Sequence, residues 1–214
     1  MIITIANESG GASKSMLADN LAALRAIAGR KVLLLDNDPQ HASVNWCAER
    51  QASGKRPQVA ARPISGKGLQ PELENLAYRY NDIVIDTESR DSLGSRSALI
   101  AAHVAIIPVD LECLEQLNEA KLLARIDTAR LFNPGLRILV VAICAEEPPC
   151  AEKMAVVRNF VASIPAAQLF HTAIHSGSAL RLAFQDGLSV CEYQPADREA
   201  ISEMKELCSE IFGR

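Results

Sequence analysis

Three stretches of this 214-residue chain carry residue types at spacings that could do chemistry. In "NESGGASKS" (7–15), which follows the apolar run "MIITIA", the adjacent Gly10 and Gly11 stand ahead of Lys14 and Ser15. Glycines allow a tight turn and close approach of the backbone to a ligand. A strand, a glycine-rich turn and a helix in that order aim N–H groups at phosphate oxygens. Lys14 would then bridge the β- and γ-phosphates, and the Ser15 hydroxyl would ligate Mg²⁺. Taken alone, the run reads equally well as a plain strand-to-helix turn. In "VLLLDNDPQ", Asp36 and Asp38 stand two apart at a strand end, so both carboxylates can reach one side of a site. One could hold a metal-bound water and the other orient an attacking water; a polar turn is the plain alternative. In "NDIVIDTES", an apolar strand ends in Asp86, an acid placed to support Mg²⁺ through water.

These groups need a scaffold that brings strand ends together. Apolar runs recur at 2–6, 31–36, 82–86, 103–109, 137–143 and 167–174, and unbroken runs of this length suit strands buried on both faces. Segments of helical period lie between them. Leu17, Leu21, Leu24 and Ala28 form a stripe that stops at Gly29; 112–132 ends at "NPG"; 196–212 carries Ile201, Met204, Leu207, Cys208 and Ile211 on one face. The alternation predicts a doubly wound α/β fold with a mostly parallel sheet and helices on both faces. Ligands of such sheets sit at the carboxyl ends of the strands, where all three stretches fall.

Composition narrows the function classes. With 49% hydrophobic residues, the chain can bury one sizeable core, and a single domain over 1–214 is expected. A net charge of −4 argues against coating nucleic acid all over. The six cysteines form no Cys-x-x-Cys pair, which signals neither zinc nor a redox dithiol and fits reduced thiols in a cytoplasmic protein. Neither a signal peptide nor a membrane span is read in the sequence. From Arg50 to Gly68, five cations (Arg50, Lys55, Arg56, Arg62, Lys67) occur without an acid. A Gly, Pro and Ser content there suggests a loop or ragged edge, either simply solvated or a DNA or partner patch.

Together, "SGGASKS", "DNDPQ" and "IVIDT" resemble, in order and spacing, the ParA/MinD family of deviant Walker ATPases, which position plasmids, chromosomes and other cargo. "AIIPVDLECLEQLN" and "TAIHSGSALRLAFQDGLSVCEYQP" extend the resemblance over nearly the whole chain. It implies a P-loop NTPase fold of the SIMIBI type, ATP or ADP with Mg²⁺, a homodimer formed on ATP binding, a ParB-like or other small partner protein, and non-specific DNA. The nucleotide residues it implies are Gly10, Gly11, Ala12, Ser13, Lys14, Ser15 and Met16. Ser15, Asp36 and Asp86 would serve the metal, with Lys14 and Asp38 catalytic. Because Met1 already begins the first strand, a separate N-terminal DNA-binding domain is not expected.

The sequence also departs from the family. Its signature lysine position holds Ser9, which lacks the charge that steadies a phosphoryl transition state, an effect worth about 10²-fold or more in rate. Glu8 would repel phosphate if it pointed inward. Ser13 replaces a glycine and would be strained, by about 1–2 kcal/mol, if its φ were positive. From 175 to 214 there are four cations against seven acids, unfavourable for a phosphate backbone. The implied activity is weak or partner-stimulated ATP hydrolysis; the alternative is a catalytically degenerate adaptor that binds a partner in a plasmid stabilisation or conjugation system.

Overall fold

A computed structural model describes residues 1–8, 13–145 and 149–213. The strands are β1 (Ile2–Ile5), β2 (Val32–Asn37), β3 (Ala60–Pro63), β4 (Asp82–Thr87), β5 (Val104–Asp110), β6 (Arg137–Cys144), β7 (Gln168–Leu169) and β8 (Ile174–His175). The helices are α1 (Ser13–Ile27), α2 (Ala42–Ala52), α3 (Gly66–Leu76), α4 (Leu93–Ala101), α5 (Glu119–Phe132), α6 (Ala151–Ala162), α7 (Ser178–Gln185) and α8 (Arg198–Phe212). The described strands form one sheet in the order β3-β2-β4-β1-β5-β6-β7, with β8 also on β6. Every pairing is parallel.

The sheet is buried on both sides because its strands are apolar at successive positions. Ile3, Ile5, Leu34, Val84 and Ile106 face α1 and α8, where Leu17, Leu21, Met204, Leu207 and Ile211 complete one core. Their neighbours point the other way: Leu33, Leu35, Ile83 and Ile85 meet Leu69 and Leu73 of α3, while Ala105, Ile107 and Val140 meet Leu122, Ile126 and Phe160 of α5 and α6. Each of these Val, Leu, Ile, Met and Phe side chains contributes roughly 1.5–3 kcal/mol on burial. The α1 stripe ends as expected at Gly29, whose φ of 78° suits a residue without Cβ.

Three expected elements differ. The helix predicted from 112 begins only at Glu119, where the Asn118 side chain caps the Lys121 N–H at 3.2 Å, after a short 3₁₀ turn at Leu114–Gln116. The strand predicted over 167–174 is two short strands, β7 and β8, each on β6. The basic stretch 50–68, read as a loop or ragged edge, does contain the sheet edge but with regular elements in it: α2 runs to Ala52, Ala60–Pro63 form an edge strand, and α3 begins at Gly66. All six cysteines are free thiols. Among the described residues, no helix is long and apolar enough to cross a membrane.

Candidate functional site

The sheet order sets β2, β4 and β1 side by side, so their carboxyl ends meet. Asp36 and Asp86 are directly opposite in the β2–β4 register, and Ile5 is opposite Asp86 in the β1–β4 register. The helix that follows β1 starts at Ser13 and carries Lys14 and Ser15 into the same place. Ser15 Oγ donates to Asp86 Oδ2 at 2.6 Å, and Ser43 Oγ at the start of α2 donates to the same oxygen at 3.0 Å. Lys14, almost fully buried, donates from Nζ to Ser89 Oγ at 2.6 Å. Burial pulls the Lys14 ammonium below its ordinary value, against the opposing charges of Asp86 and Asp38.

The two acids of "DNDPQ" do not lie abreast as expected. β2 ends at Asn37, and the chain turns so that the Asp38 N–H donates to Asp36 Oδ1 at 3.0 Å. Asp36 Oδ2 accepts the Val44 N–H at 3.0 Å, so its carboxylate ties down the start of α2. Burial raises its pKa, and the two backbone donors partly offset this. Asp38 stands further out, on the wall of a cleft of 460 Å³ that Glu88, His41 and Ser65 also line. An inner carboxylate with structural partners and an outer one beside open space are thus distinct in environment.

Asp86 is fully buried, its Oδ1 has no hydrogen-bond partner, and burial pushes its pKa to about 7. Asp19, one turn after Ser15, is equally buried, and neither of its oxygens has a donor. Ser43 is its neighbour but spends its single proton on Asp86. Burial, then the charge of Asp86, raises Asp19 well above the usual carboxylate range. A surplus of buried carboxylate oxygen beside the Ser15 hydroxyl is the hard-oxygen donor set that suits Mg²⁺. Ser15, Asp86 and, behind them, Asp36 would hold the ion, which would supply charge neutralisation for phosphate oxygens.

The remaining sequence-predicted residues fall into three groups. Ser9, Gly10, Gly11 and Ala12 lie outside the described residues. Ser13 is the first residue of α1, and the only described non-glycine residues with positive φ are His41 and Ala166, so the strain contemplated for Ser13 is absent. The Met16 side chain packs in the core, which leaves only its backbone for a ligand. Of the basic stretch, Arg50 does not belong to a surface patch: it is wholly buried, and its guanidinium forks onto Glu192 with two 2.8 Å bonds. Arg62 is exposed and paired with Glu72 at 2.5 Å, while Arg56 and Lys67 are exposed and Lys55 is partly so. Three neighbours of these residues escaped the sequence reading: Asp19, Ser43 and Ser89. Ser43 and Ser89 follow the aspartate-bearing strand ends, which was the available signal.

The nucleotide-binding domain family of CobQ, CobB, MinD and ParA matches this chain over residues 3–214. The chain belongs to this family. The CobQ/CobB/MinD/ParA assignment agrees with two relatives. The chain is 30% identical over 168 residues to the chromosome-partitioning ATPase Soj of Thermus thermophilus, covering 66% of this chain and 68% of that protein. It is 29% identical over 175 residues to the chromosome partitioning protein ParA of Myxococcus xanthus, covering 64% and 62% respectively. Among solved structures, the Cyanothece McdA complex with ATP matches with a TM-score of 0.80 at 16% identity, over 99% of this chain and 96% of that one. MinD of Pyrococcus horikoshii with Mg-ADP matches at 0.68 and 18% identity, over 99% and 95%. The fold is therefore the α/β P-loop NTPase fold of the ParA/MinD proteins.

Proposed function

We propose that this chain is a ParA-like protein that binds ATP with Mg²⁺, dimerises when it does so, and acts in the partition or positioning of DNA, plasmids included, through a small ParB-like or other cognate partner. Its hydrolysis is weak or partner-stimulated, and it works in the cytoplasm. The observation that carries this reading is the convergence of Lys14, Ser15, Asp86 and Asp36 at the ends of β1, β2 and β4, with buried carboxylate oxygen left over for a cation. In this reading Lys14 takes the phosphates, Gly10, Gly11, Ala12, Ser13, Ser15 and Met16 contribute backbone contacts, and Asp38 orients the attacking water from the cleft wall. Any DNA contact falls to Lys55, Arg56 and Lys67 with Arg62, since Arg50 is buried.

A second reading keeps the nucleotide as a structural element in a partner-binding adaptor of a stabilisation or conjugation system. It is favoured by Ser9, which brings no charge to the loop. Phosphate release by wild type and Asp38→Ala, with Mg²⁺ and with or without DNA, separates the two. The ATPase reading predicts turnover that falls at least tenfold in the variant. Release that stays absent when the cognate partner is added as well, or that is identical in both proteins, favours the adaptor.

A further inference from the structure

Glu8 was the residue most at odds with a phosphate site, and its carboxylate is not free to face one. Arg125 Nη2 of α5 lies 2.8 Å from Glu8 Oε1, and both side chains are almost wholly buried, at 4% and 7% exposure. The contact is one of charge rather than of an aligned hydrogen bond, since neither atom has a hydrogen-bond partner. A cation so buried needs an anion beside it. Its other acidic neighbours are engaged elsewhere: Glu88 with Arg90 at 2.9 Å, and Asp91 with Arg96. Glu8 is therefore the partner that neutralises Arg125.

The same guanidinium holds a second element. Arg125 Nη1 donates to Ser95 Oγ at 2.9 Å and to the Arg90 carbonyl at 3.2 Å. Ser95 shares a capping box with Ser92 at the start of α4, so Arg125 grips the end of the segment between β4 and α4. That segment also carries Ser89, the acceptor for Lys14. Glu8, just before the 9–12 stretch, and Lys14, two residues after it, are thus both tied to one segment: Glu8 through Arg125, and Lys14 through Ser89.

We propose that Arg125 is a positioning residue for the nucleotide site, acting on the phosphate loop through Glu8 and on the 88–95 segment through Ser95 and the Arg90 carbonyl. The inference rests on the nucleotide-binding reading above and adds a residue that sequence motifs do not reveal. It also assigns Glu8 a role: its negative charge is spent on Arg125 instead of opposing phosphate. When phosphates draw Lys14 away from Ser89, the Glu8–Arg125 pair is the tie that keeps loop and segment together.

The sign of one substitution distinguishes positioning from a simple electrostatic field. Glu8→Gln keeps the shape and removes the charge. If Glu8 acted only as an anion near phosphate, losing it would tighten ATP binding. If it positions the loop, losing it weakens binding, by about tenfold. Calorimetry with ATP and Mg²⁺ on wild type, Glu8→Gln, Arg125→Met, Arg125→Lys and the Glu8→Gln/Arg125→Met double variant reads this. The account expects Arg125→Lys, which keeps the opposing charge but loses the guanidinium fork onto Ser95 and the Arg90 carbonyl, to bind more tightly than Arg125→Met and more weakly than wild type, and the double variant to bind no more weakly than Arg125→Met, because the two residues act through one contact. Hydrogen exchange of the unliganded protein reads the tie without nucleotide: amides of 88–95 exchange several-fold faster in Glu8→Gln, and those of β6 do not. Tighter ATP binding, additive losses or unchanged exchange at 88–95 would overturn the proposal. If wild type itself bound no ATP, the nucleotide reading would fall, whereas faster exchange at 88–95 would still support the tie.

Discussion

At Asp86, two hydroxyl donors serve one oxygen while the other oxygen is buried without a partner, and this asymmetry has a measurable consequence. Unfolded, the carboxyl titrates near 3.8; folded, burial lifts it to about 7. Between those values the native state holds a proton that the unfolded chain has lost, so Asp86 lowers stability as pH rises through that window. Below it both states are protonated and the penalty vanishes; the cost grows by about 1.4 kcal/mol for each unit of separation. In metal-free protein, Asp86→Asn should therefore be at least as stable as wild type at pH 8 and lose its relative advantage towards pH 4. Urea midpoints at pH 4.5, 6 and 8 measure this, and parallel profiles for the two proteins would count against it. Sequence alone placed Asp86, Lys14 and Ser15 correctly at strand and helix ends, because apolar periodicity and glycine position encode them. It could not supply Asp19, Ser43 or Arg125, whose neighbours come from distant segments. Ser13 shows the opposite case: a departure that reads as strain in sequence is harmless once the residue begins a helix.

At the level of elements, the central β2, β4, β1 and β5 strands were legible because both their faces are buried, and their apolar runs are continuous. The edges were not. β3 is an edge strand with exposed Ala60, Arg62 and Pro63, so its composition resembles a loop. β7 and β8 are too short to leave a periodic pattern. Arg50 was misplaced for a related reason. Its partner Glu192 is 142 residues away, and their pairing is a tertiary event that joins α2 to the loop between α7 and α8. Burial alone would raise the Glu192 carboxyl, yet hydrogen bonds from Arg50 and Ser189 outweigh it and hold it below its usual value. The Arg50 guanidinium also donates to the carbonyls of Pro57 and Gly187. Arg50→Ala should cost about 3–5 kcal/mol, the range for leaving one member of a buried pair unpaired. Chemical denaturation measures that loss; a change below about 1 kcal/mol would mark the residue as a surface cation after all.

The molecule as a whole is a doubly wound sheet whose candidate site gathers at one end, where β1, β2 and β4 deliver three stretches far apart in sequence. The class of fold followed from alternating strands and helices, and the site from what such a fold does with its carboxyl ends. The acidic balance of 175–214, four cations against seven acids, keeps DNA contact away from that region in the proposed account. The edge formed by β3 and the adjoining α2 and α3 termini offers Arg56 and Lys67 instead. The proposed function depends on one event, the capture of a nucleotide by Lys14 and its surroundings. The most direct test is isothermal calorimetry of ATP with Mg²⁺ on wild type and Lys14→Ala side by side. The account predicts saturable binding to wild type and affinity weaker by about 10²-fold in the variant, since a buried cation on phosphate is a charge-assisted contact. Equal heats in the two proteins, or none in either, would contradict it.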